Sequence, residues 1–367
     1  MNMLFSGLTN ITWQQVVMLA VGGTLIYLAI VKEYEPVLLL PIGFGAILAN
    51  IPGSSAIGPH GFLTVLYEAG IVTELFPILI FIGIGAMVDF GPLLEQPFTL
   101  FFGAAAQLGI FLTMTFAVLA KFPLNEAAAI GIIGTADGPT SIYVASILAP
   151  NLLGPISVAA YSYMSLVPII QPPIVRALTT PEERKIRMEP ARSKKISRLV
   201  RILFPIIITV ISGLIAPVSL ALVGSLMFGN LLREAGVVER LSKTAQNELA
   251  NLISLLLGIT IGATMTAEQF LKPSTLLIIF MGLVAFVLDT AAGVLFGKFM
   301  NLFLKKKVNP MVGACGLSAF PMSARVIQRM AQQEDPSNFL LMQAVSANVA
   351  GQIASIIAGA MILAMVS

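Results

Sequence analysis

Charged residues are scarce in this chain. Only 11% of its 367 residues are charged and 57% are hydrophobic, whereas a soluble domain carries about 25% charged residues. The composition therefore excludes an ordinary soluble domain and indicates a polytopic protein of the lipid bilayer. The formal net charge of +3 is small and its positive part is concentrated in one loop, so we expect no nucleic-acid partner.

Cysteine and histidine are almost absent. The single cysteine, Cys315, excludes an internal disulfide, and the single histidine, His60, leaves no histidine cluster for a transition metal. We therefore do not expect a redox or zinc enzyme. The first fifteen residues lack the basic region and cleavage site of a secretory signal, which predicts that the first apolar segment is retained.

Long apolar tracts fill both halves of the sequence, and the two sets resemble each other at an offset of about 180 residues. Pro36-Val37 followed by Asn50 is echoed by Pro217-Val218 followed by Asn230. We predict an all-α membrane protein with a first repeat over 1–178, a basic cytoplasmic linker over 179–198 and a second repeat over 199–367.

The number of crossings decides whether the repeats are parallel or inverted. Six full spans in each half would make them parallel, whereas five spans and one re-entrant element would invert them. Glycine and proline in the middle of the tracts around Asp137 and Ser318 favour re-entrant or broken helices there. We therefore predict two inverted repeats, with about ten spanning helices and two re-entrant elements.

The stretch Gly134-Thr135-Ala136-Asp137-Gly138-Pro139-Thr140-Ser141-Ile142-Tyr143 carries an acid within one of these tracts. A carboxylate at the centre of a spanning helix costs about 2.5–3.5 kcal/mol on insertion scales, so it needs a partner. Asp137 is therefore either a buried helix cap or a site for a cation or proton. The hydroxyls nearby suit oxygen coordination of a monovalent cation.

Other polar side chains lie in the later tracts. Tyr163 is either an interfacial anchor or part of a polar cluster, although its position near mid-segment fits an anchor less well. Arg325, which follows Asn309 and Ser318 in the second broken tract, either reaches toward the interface or attracts an anionic carboxyl group. Asn348 shares one helical face with Gly351, Gln352 and Ser355. Either the small residues of this face permit tight packing of helices, or Asn348 supplies an oxygen ligand to a sodium ion.

A second acid, Asp289, lies inside another hydrophobic tract. It is the other candidate ion carrier, with Lys298 as a structural partner two to three turns away. We rank it below Asp137 because no helix breakers surround it.

Three motifs resemble a known family. They are the stretch at 134–143, Ala160-Tyr161-Ser162-Tyr163-Met164 with Val167-Pro168-Ile169-Ile170-Gln171-Pro172-Pro173, and Ser346-Ala347-Asn348-Val349-Ala350-Gly351. In this order they are similar to the beta subunit of sodium-translocating biotin-dependent decarboxylases, which act on oxaloacetate, methylmalonyl-CoA, glutaconyl-CoA or malonate. The resemblance covers nearly the whole chain.

The resemblance implies a membrane subunit that decarboxylates carboxybiotin, exports sodium and consumes a proton. It implies catalytic roles for Asp137, Tyr163 and Arg325, and sodium binding at Asp137, Asn309, Ser318 and Asn348. The residues that it places near the site as structural elements are Gly138, Pro139, Gly313 and Gly351.

The implied cofactors are a sodium ion and biotin, which a partner supplies because this chain has no Met-Lys-Met acceptor. The implied partners are a biotin carrier subunit, a carboxyltransferase subunit and a small membrane anchor subunit, in a complex that contains several copies of this chain in a bacterial cytoplasmic (inner) membrane. A secondary sodium/proton or sodium/carboxylate transporter with no chemical step is the alternative.

Overall fold

A computed structural model describes residues 9–188, 196–215, 217–319 and 322–366 of the chain. Part of the predicted linker, 189–195, and residues 320–321 of the second broken tract lie outside the described residues. The described residues form helices joined by turns, and no β-strand occurs among them. The prediction of an all-α membrane protein is therefore confirmed.

The α-helices are numbered in chain order. Their bounds are α1 Trp13–Val31, α2 Pro36–Ala49, α3 Phe62–Tyr67, α4 Leu75–Met87, α5 Gly91–Glu95, α6 Leu100–Ala106, α7 Leu108–Leu119, α8 Leu124–Gly131, α9 Gly138–Leu148, α10 Leu153–Leu178, α11 Pro181–Arg184, α12 Arg198–Ile215, α13 Leu220–Ala235, α14 Glu239–Thr244, α15 Ala250–Thr264, α16 Ala267–Phe270, α17 Pro273–Met300, α18 Met322–Glu334 and α19 Leu341–Val366. Short 3₁₀ turns join several of them, including Ile132–Thr135 before α9 and Pro310–Gly316 before α18.

The number of clear membrane spans is smaller than predicted. Within the described residues, five helices are long and apolar enough to cross a bilayer, and two further pairs, bent by 64° and 65°, could each be one broken span. The predicted count of about ten is therefore not confirmed. Helix α2 has only 14 residues, about 21 Å at 1.5 Å per residue, which is shorter than a hydrocarbon core of about 30 Å.

One surface of the bundle carries the described part of the linker, and we name it the linker face. Arg184 forms an ion pair of 2.6 Å with Glu334 at the end of α18. Lys298 in the last turn of α17 donates to the carbonyl oxygen of Leu178, at 3.0 Å, and pairs with Glu183, at 3.2 Å. The ends of α10, α17 and α18 therefore lie together at this face.

The surface at the other end of the helices is named the opposite face. Asn50, just after α2, donates to the carbonyl oxygen of Met265, just after α15, at 2.7 Å. Pro150 lines a surface cavity together with Thr264 and Thr266. The ends of α2 and α15 and the turn between α9 and α10 therefore lie together, away from the linker.

Two helical hairpins enter the bundle from these two faces. Hairpin 1 (residues 124–148, α8 and α9) has both ends at the opposite face, where Asn125 donates to the carbonyl oxygen of Leu148 at 2.7 Å. Hairpin 2 (residues 309–319 and 322–334) has both ends at the linker face, where Asn309 and Glu334 contact Arg184. The two tracts predicted to be re-entrant are therefore hairpins of opposite orientation.

Helices from the two halves of the chain pair in a crossed manner. Helix α2 packs against α15, and α4 packs against α13. Glycines permit the close approach, because a Cβ atom added at Gly262 would overlap the carbonyl oxygen of Ile42, and one added at Gly229 would overlap that of Ile82. Such an exchange of partners is expected for two inverted repeats.

Candidate functional site

Asp137 begins helix α9 in the middle of the protein. The preceding residue, Ala136, has a left-handed backbone (φ 51°), which turns the chain after the 3₁₀ segment. Asp137 itself is the N-cap of α9, and its Oδ1 accepts from the backbone amide of Thr140 at 3.2 Å. The capping role is therefore present, but it occupies only one of the two carboxylate oxygens.

The other oxygen, Oδ2, accepts hydrogen bonds from two other elements. Ser318 at the tip of hairpin 2 donates through its hydroxyl at 2.9 Å. Helix α19 contributes the Ser355 hydroxyl at 2.8 Å and the Gln352 amide at 3.3 Å. Asp137 is only 3% exposed. Because a buried carboxylate needs compensation, these donors stabilise its charge, and a bound cation or proton would do so further.

The tips of the two hairpins are joined at this point. In addition to the side-chain bond, the Ser318 backbone amide donates to the carbonyl oxygen of Thr135 at 3.0 Å. Hairpin 2 thus holds hairpin 1 by one backbone and one side-chain hydrogen bond. The interruptions of both helices are therefore placed side by side at the same depth.

A cavity of about 500 Å³ leads from Asp137 toward the linker face. Met87 lines the cavity, and Glu95 at the end of the next helix, α5, lines a second cavity with Ile186 and Arg187 of the linker. Of the described residues that line the cavity, Glu35 and Asp137 are acidic and none is basic. The cavity therefore suits a cation better than an anion.

Tyr161, rather than Tyr163, faces this cavity. Tyr161 is fully buried and lines the cavity together with Asp137 and Glu35. Its ring packs against the Gly138 backbone so closely that a Cβ atom at Gly138 would overlap it. The Tyr163 hydroxyl instead donates to the carbonyl oxygen of Ile279 in α17. The sequence singled out Tyr163, and the structure brings its neighbour Tyr161 to the cavity instead; because α10 is bent, the pattern could not show which of the two faces Asp137.

Asn309 and Gly313 lie away from Asp137. The Asn309 amide donates to the carbonyl oxygens of Arg184 and Ile186, at 2.8 and 2.9 Å, while its oxygen caps the 3₁₀ segment of hairpin 2. Gly313 packs against Gly293 of α17, where a Cβ atom would overlap the carbonyl oxygen of Gly293. The structure places both residues where hairpin 2 enters the bundle and does not bring them to the Asp137 carboxylate.

Asn348 lies one helical turn before Gln352 on α19. Its amide donates to the carbonyl oxygens of Leu317, at 2.5 Å, and Cys315, at 3.4 Å, so it supports the tip of hairpin 2. Its buried Oδ1 has no hydrogen-bond partner among the described residues. Gly351 permits this close approach, because a Cβ atom there would overlap the carbonyl oxygen of Gly316.

Arg325 and Pro139 have different surroundings. The Arg325 side chain is exposed on α18 and is not among the described residues that line the Asp137 cavity. Pro139 occupies the first turn of α9, where its missing N–H group leaves no unpaired donor, and it lines the cavity.

Asp289 is fully buried but belongs to a different contact. The Asp289 carboxylate packs against Gly109 and Gly134, because a Cβ atom added at either glycine would overlap its oxygens. The carboxylate also faces the backbone amides of Gly109 and Ile110, but neither of its oxygens forms a hydrogen bond among the described residues. It is not among the described residues lining the Asp137 cavity. Lys298, the expected partner, contacts Leu178 and Glu183 instead.

Gln352 and Ser355 are the contacts that the predicted ligand set lacked. Their spacing from Asn348 placed them on one helical face, and this signal was present in the sequence. What the pattern could not show is that this face of α19 meets α9. Tyr161 was likewise visible within a motif but was not selected.

Comparison with known proteins identifies close relatives. A family model described as the Na⁺-transporting oxaloacetate decarboxylase beta subunit matches residues 14–366. The chain is 52% identical over 361 residues to the glutaconyl-CoA decarboxylase subunit beta of Acidaminococcus fermentans, covering 98% of this chain and 96% of the relative.

Two further relatives are named for different substrates. The methylmalonyl-CoA decarboxylase subunit beta of Veillonella parvula is 51% identical over 362 residues, with 99% of this chain and 96% of the relative covered. The oxaloacetate decarboxylase beta chain of Haemophilus ducreyi is 45% identical over 423 residues, with coverages of 98% and 97%. The similarity therefore extends across nearly the full length of each relative.

Proposed function

This chain belongs to the family of Na⁺-transporting oxaloacetate decarboxylase beta subunits, and we propose that it binds the transported sodium ion at Asp137, between the tips of its two hairpins. Its function is that of the membrane subunit of a sodium-transporting, biotin-dependent decarboxylase. The observation that carries the site is the Asp137 carboxylate, which meets polar groups of hairpin 2 and α19 at the inner end of an acidic cavity.

The ligands that we propose for sodium come from the side chains that already surround Asp137. They are the carboxylate of Asp137, the hydroxyls of Ser318 and Ser355, and the amide oxygen of Gln352, which a half-turn of the side-chain amide would bring to the position from which its nitrogen now donates to Asp137. The two hydroxyls donate to Asp137 here, and rotation about their C–O bonds would turn their lone pairs toward a cation. Sodium therefore replaces hydrogen bonds that the site makes in its absence.

We assign supporting roles to the two asparagines. Asn348 positions the tip of hairpin 2, and its unpaired Oδ1 adds a further oxygen next to this ligand set. Asn309 fixes the entry of hairpin 2 to the linker through two backbone carbonyls. The proposed sodium ligands therefore include Gln352 and Ser355, and they do not include Asn309.

Charge balance connects sodium binding to the chemical step. When a partner's carboxylated biotin releases carbon dioxide, the ring nitrogen that it leaves takes up one proton. Asp137 can hold either a sodium ion or a proton, so sodium binding to the protonated acid releases that proton into the cavity. Tyr161 lies in this cavity beside Asp137 and is the group that we propose passes the proton onward.

Sodium must leave toward the opposite face. Hairpin 1 enters from that face, so a shift of the two hairpin tips relative to each other would open Asp137 to it, as in other duplicated transporters. Each ion moved against 100 mV costs about 2.3 kcal/mol, which the decarboxylation supplies. Arg325 is exposed on hairpin 2, and we propose that it contacts a partner or the lipid surface during this movement.

The partners follow from the missing parts of the reaction. We propose that a biotin carrier subunit, a carboxyltransferase subunit and a small membrane anchor subunit assemble with several copies of this chain in a bacterial inner membrane. The described linker contains Arg184 and Arg187 at one face, and the positive-inside rule places this face in the cytoplasm. A transporter without a chemical step could use the same acid, but membership of the decarboxylase family favours the pump.

The test is sodium transport by the whole complex in sealed vesicles. Decarboxylation and ²²Na⁺ uptake are measured for the wild-type protein, for Asp137→Asn, and for Asp89→Asn, an acid at the linker face that pairs with Arg233. Asp137→Asn is expected to lose sodium-stimulated decarboxylation by about 100-fold or more, while Asp89→Asn keeps it. Sodium-stimulated turnover of Asp137→Asn at the wild-type rate would refute the proposal.

A further inference from the structure

The side chain of Glu35 lies at the linker-face end of the cavity that leads to Asp137. Glu35 immediately precedes α2 and lines the cavity with Met87 and Gln246, while Asp137 and Ser318 line its inner end. Glu35 is half-buried, and the buried Tyr161 lines the same cavity as Glu35 and Asp137. The two acids therefore act on the same enclosed space.

Within the described residues, the Glu35 carboxylate neither caps a helix nor forms an ion pair. As the residue before α2 it makes no side-chain capping hydrogen bond. The amides of Leu38 and Leu39 in the first turn of the helix donate to its backbone carbonyl oxygen instead, at 3.1 and 3.0 Å. Among the described residues no ion pair includes it. The side chain is thus left to face the cavity.

The backbone of Glu35 is held in an unfavourable conformation. Its φ of 36° lies in the left-handed region, which a residue with a long side chain adopts at a cost in free energy. Glycine or asparagine would meet this backbone requirement more easily. Glu33 and Glu74 share this conformation, so it is the position of Glu35 in the cavity lining, rather than its backbone, that distinguishes it from Glu33.

We propose that Glu35 is a second cation-binding group, which receives sodium at the linker face before the ion reaches Asp137. This inference rests on the proposed function of the cavity as the sodium path. The amide side chains of Gln246 and Asn251 line the same cavity and supply neutral oxygens on the way. A mouth with one carboxylate and no basic side chain among its described lining raises the local concentration of cations and repels anions.

The chain offers a matched control for this position. Glu33, two residues earlier, also has a left-handed backbone (φ 54°), but it is exposed and is not among the described residues that line the cavity. Glu33→Gln therefore removes the same charge from the same loop and leaves the proposed path intact.

The experiment measures decarboxylation by the whole complex in vesicles, with sodium supplied at the linker face and ionic strength set with choline chloride. At about 0.01 M salt, we expect Glu35→Gln to raise the sodium concentration for half-maximal rate about five- to tenfold, with a maximal rate within about twofold of wild type. Glu33→Gln and the charge-conserving Glu35→Asp are expected to stay within about twofold of wild type in both quantities.

Ionic strength separates an electrostatic role from a structural one. Between about 0.01 M and about 1 M salt the screening length falls from about 30 Å to about 3 Å, so the difference between Glu35→Gln and wild type is expected to shrink. An unchanged half-maximal sodium concentration in Glu35→Gln at low salt would overturn the inference. A lower maximal rate with unchanged half-saturation would also overturn it, because this indicates a structural role.

Asp137→Asn, measured in the same vesicles, distinguishes the two proposals. If Asp137→Asn loses sodium dependence while Glu35→Gln matches wild type, only the entry role of Glu35 fails. If Asp137→Asn retains sodium dependence, the proposed function fails. If Glu35→Gln does not fold, Glu35→Lys against Glu33→Lys repeats the comparison with a larger expected shift, and equal half-saturation in these two variants overturns the inference.

Discussion

Asn50 and Asn230 make equivalent hydrogen bonds in opposite halves of the chain. The Asn50 amide donates to the carbonyl oxygen of Met265 at 2.7 Å, and the Asn230 amide donates to that of Val88 at 3.0 Å. Asn50 follows α2 and binds just beyond the end of α15, whereas Asn230 lies in the last two turns of α13 and binds just beyond the end of α4. The exchange supports our proposal that 1–178 and 199–367 are inverted repeats around the intervening linker.

The two asparagines are therefore expected to stabilise the crossed pairing of the halves. Asn50→Ala and Asn230→Ala each leave buried backbone carbonyls unpaired, which we expect to lower the free energy of unfolding by about 1–3 kcal/mol. Asn247→Ala serves as the control, because the exposed Asn247 bonds only within its own turn, and we expect a change within about 0.5 kcal/mol. Thermal unfolding in detergent measures the stability of the three variants. Equal unfolding midpoints would contradict a role of Asn50 and Asn230 in stabilising the crossed pairing of the two halves.

The serine hydroxyls at Asp137 are expected to affect sodium affinity. In Ser318→Ala and Ser355→Ala one proposed ligand and one hydrogen bond to the carboxylate are lost together. We expect the sodium concentration for half-maximal decarboxylation to rise about tenfold or more in each, equivalent to about 1.4 kcal/mol. Ser146→Ala, which removes a hydroxyl bound only to the Tyr143 carbonyl oxygen, is the control and should leave sodium affinity unchanged.

The two tyrosines of α10 are expected to separate proton transfer from packing. Tyr161→Phe removes the hydroxyl that lies in the Asp137 cavity, and Tyr163→Phe removes the hydroxyl that bonds Ile279. We expect Tyr161→Phe to lower the maximal decarboxylation rate about 100-fold with little change in stability. Tyr163→Phe should lower the midpoint temperature of unfolding, whereas the decarboxylation rate of the folded variant should stay close to that of the wild-type protein. The reverse ranking of the two rates would show that Tyr163 is the proton-transferring residue.

Docking of the linker is expected to weaken in acid. Hydrogen bonds from Ser337 and Arg187 lower the pKa of Asp335 from its ordinary value of 3.8 to about 2. Because the folded pKa is below the unfolded one, the stabilisation is present above about pH 4 and is lost as the pH falls toward 2. Hydrogen exchange of amides in residues 180–188, corrected for the intrinsic rate, should increase over this range.

A variant tests the same contact at neutral pH. Asp335→Asn should expose residues 180–188 to exchange at pH 7 as strongly as acid does in the wild-type protein. Glu239→Gln, which removes an exposed pair with Lys243 elsewhere, should not. Unaltered exchange in Asp335→Asn would mean that Arg184–Glu334 and the asparagine contacts hold the linker without this pair.

The sequence alone determined that this protein is helical and lies in the membrane, because few charges and long apolar tracts leave no other stable arrangement of the backbone. It also determined that Asp137 and the tract around Ser318 interrupt helices, since glycine and proline act locally. The expectation that both tracts re-enter follows from the same residues.

Only the tertiary structure decided which polar groups meet Asp137. Ser318, Gln352 and Ser355 are separated from it by 181, 215 and 218 positions, and such contacts depend on how hairpins and helices pack rather than on local preference. The same packing brings Tyr161 to the cavity, directs Tyr163 to α17 and places Glu35 at the mouth. Because α10 is bent and helices of the two halves pair in a crossed manner, the spacing of residues along the sequence does not show which side chains face the cavity.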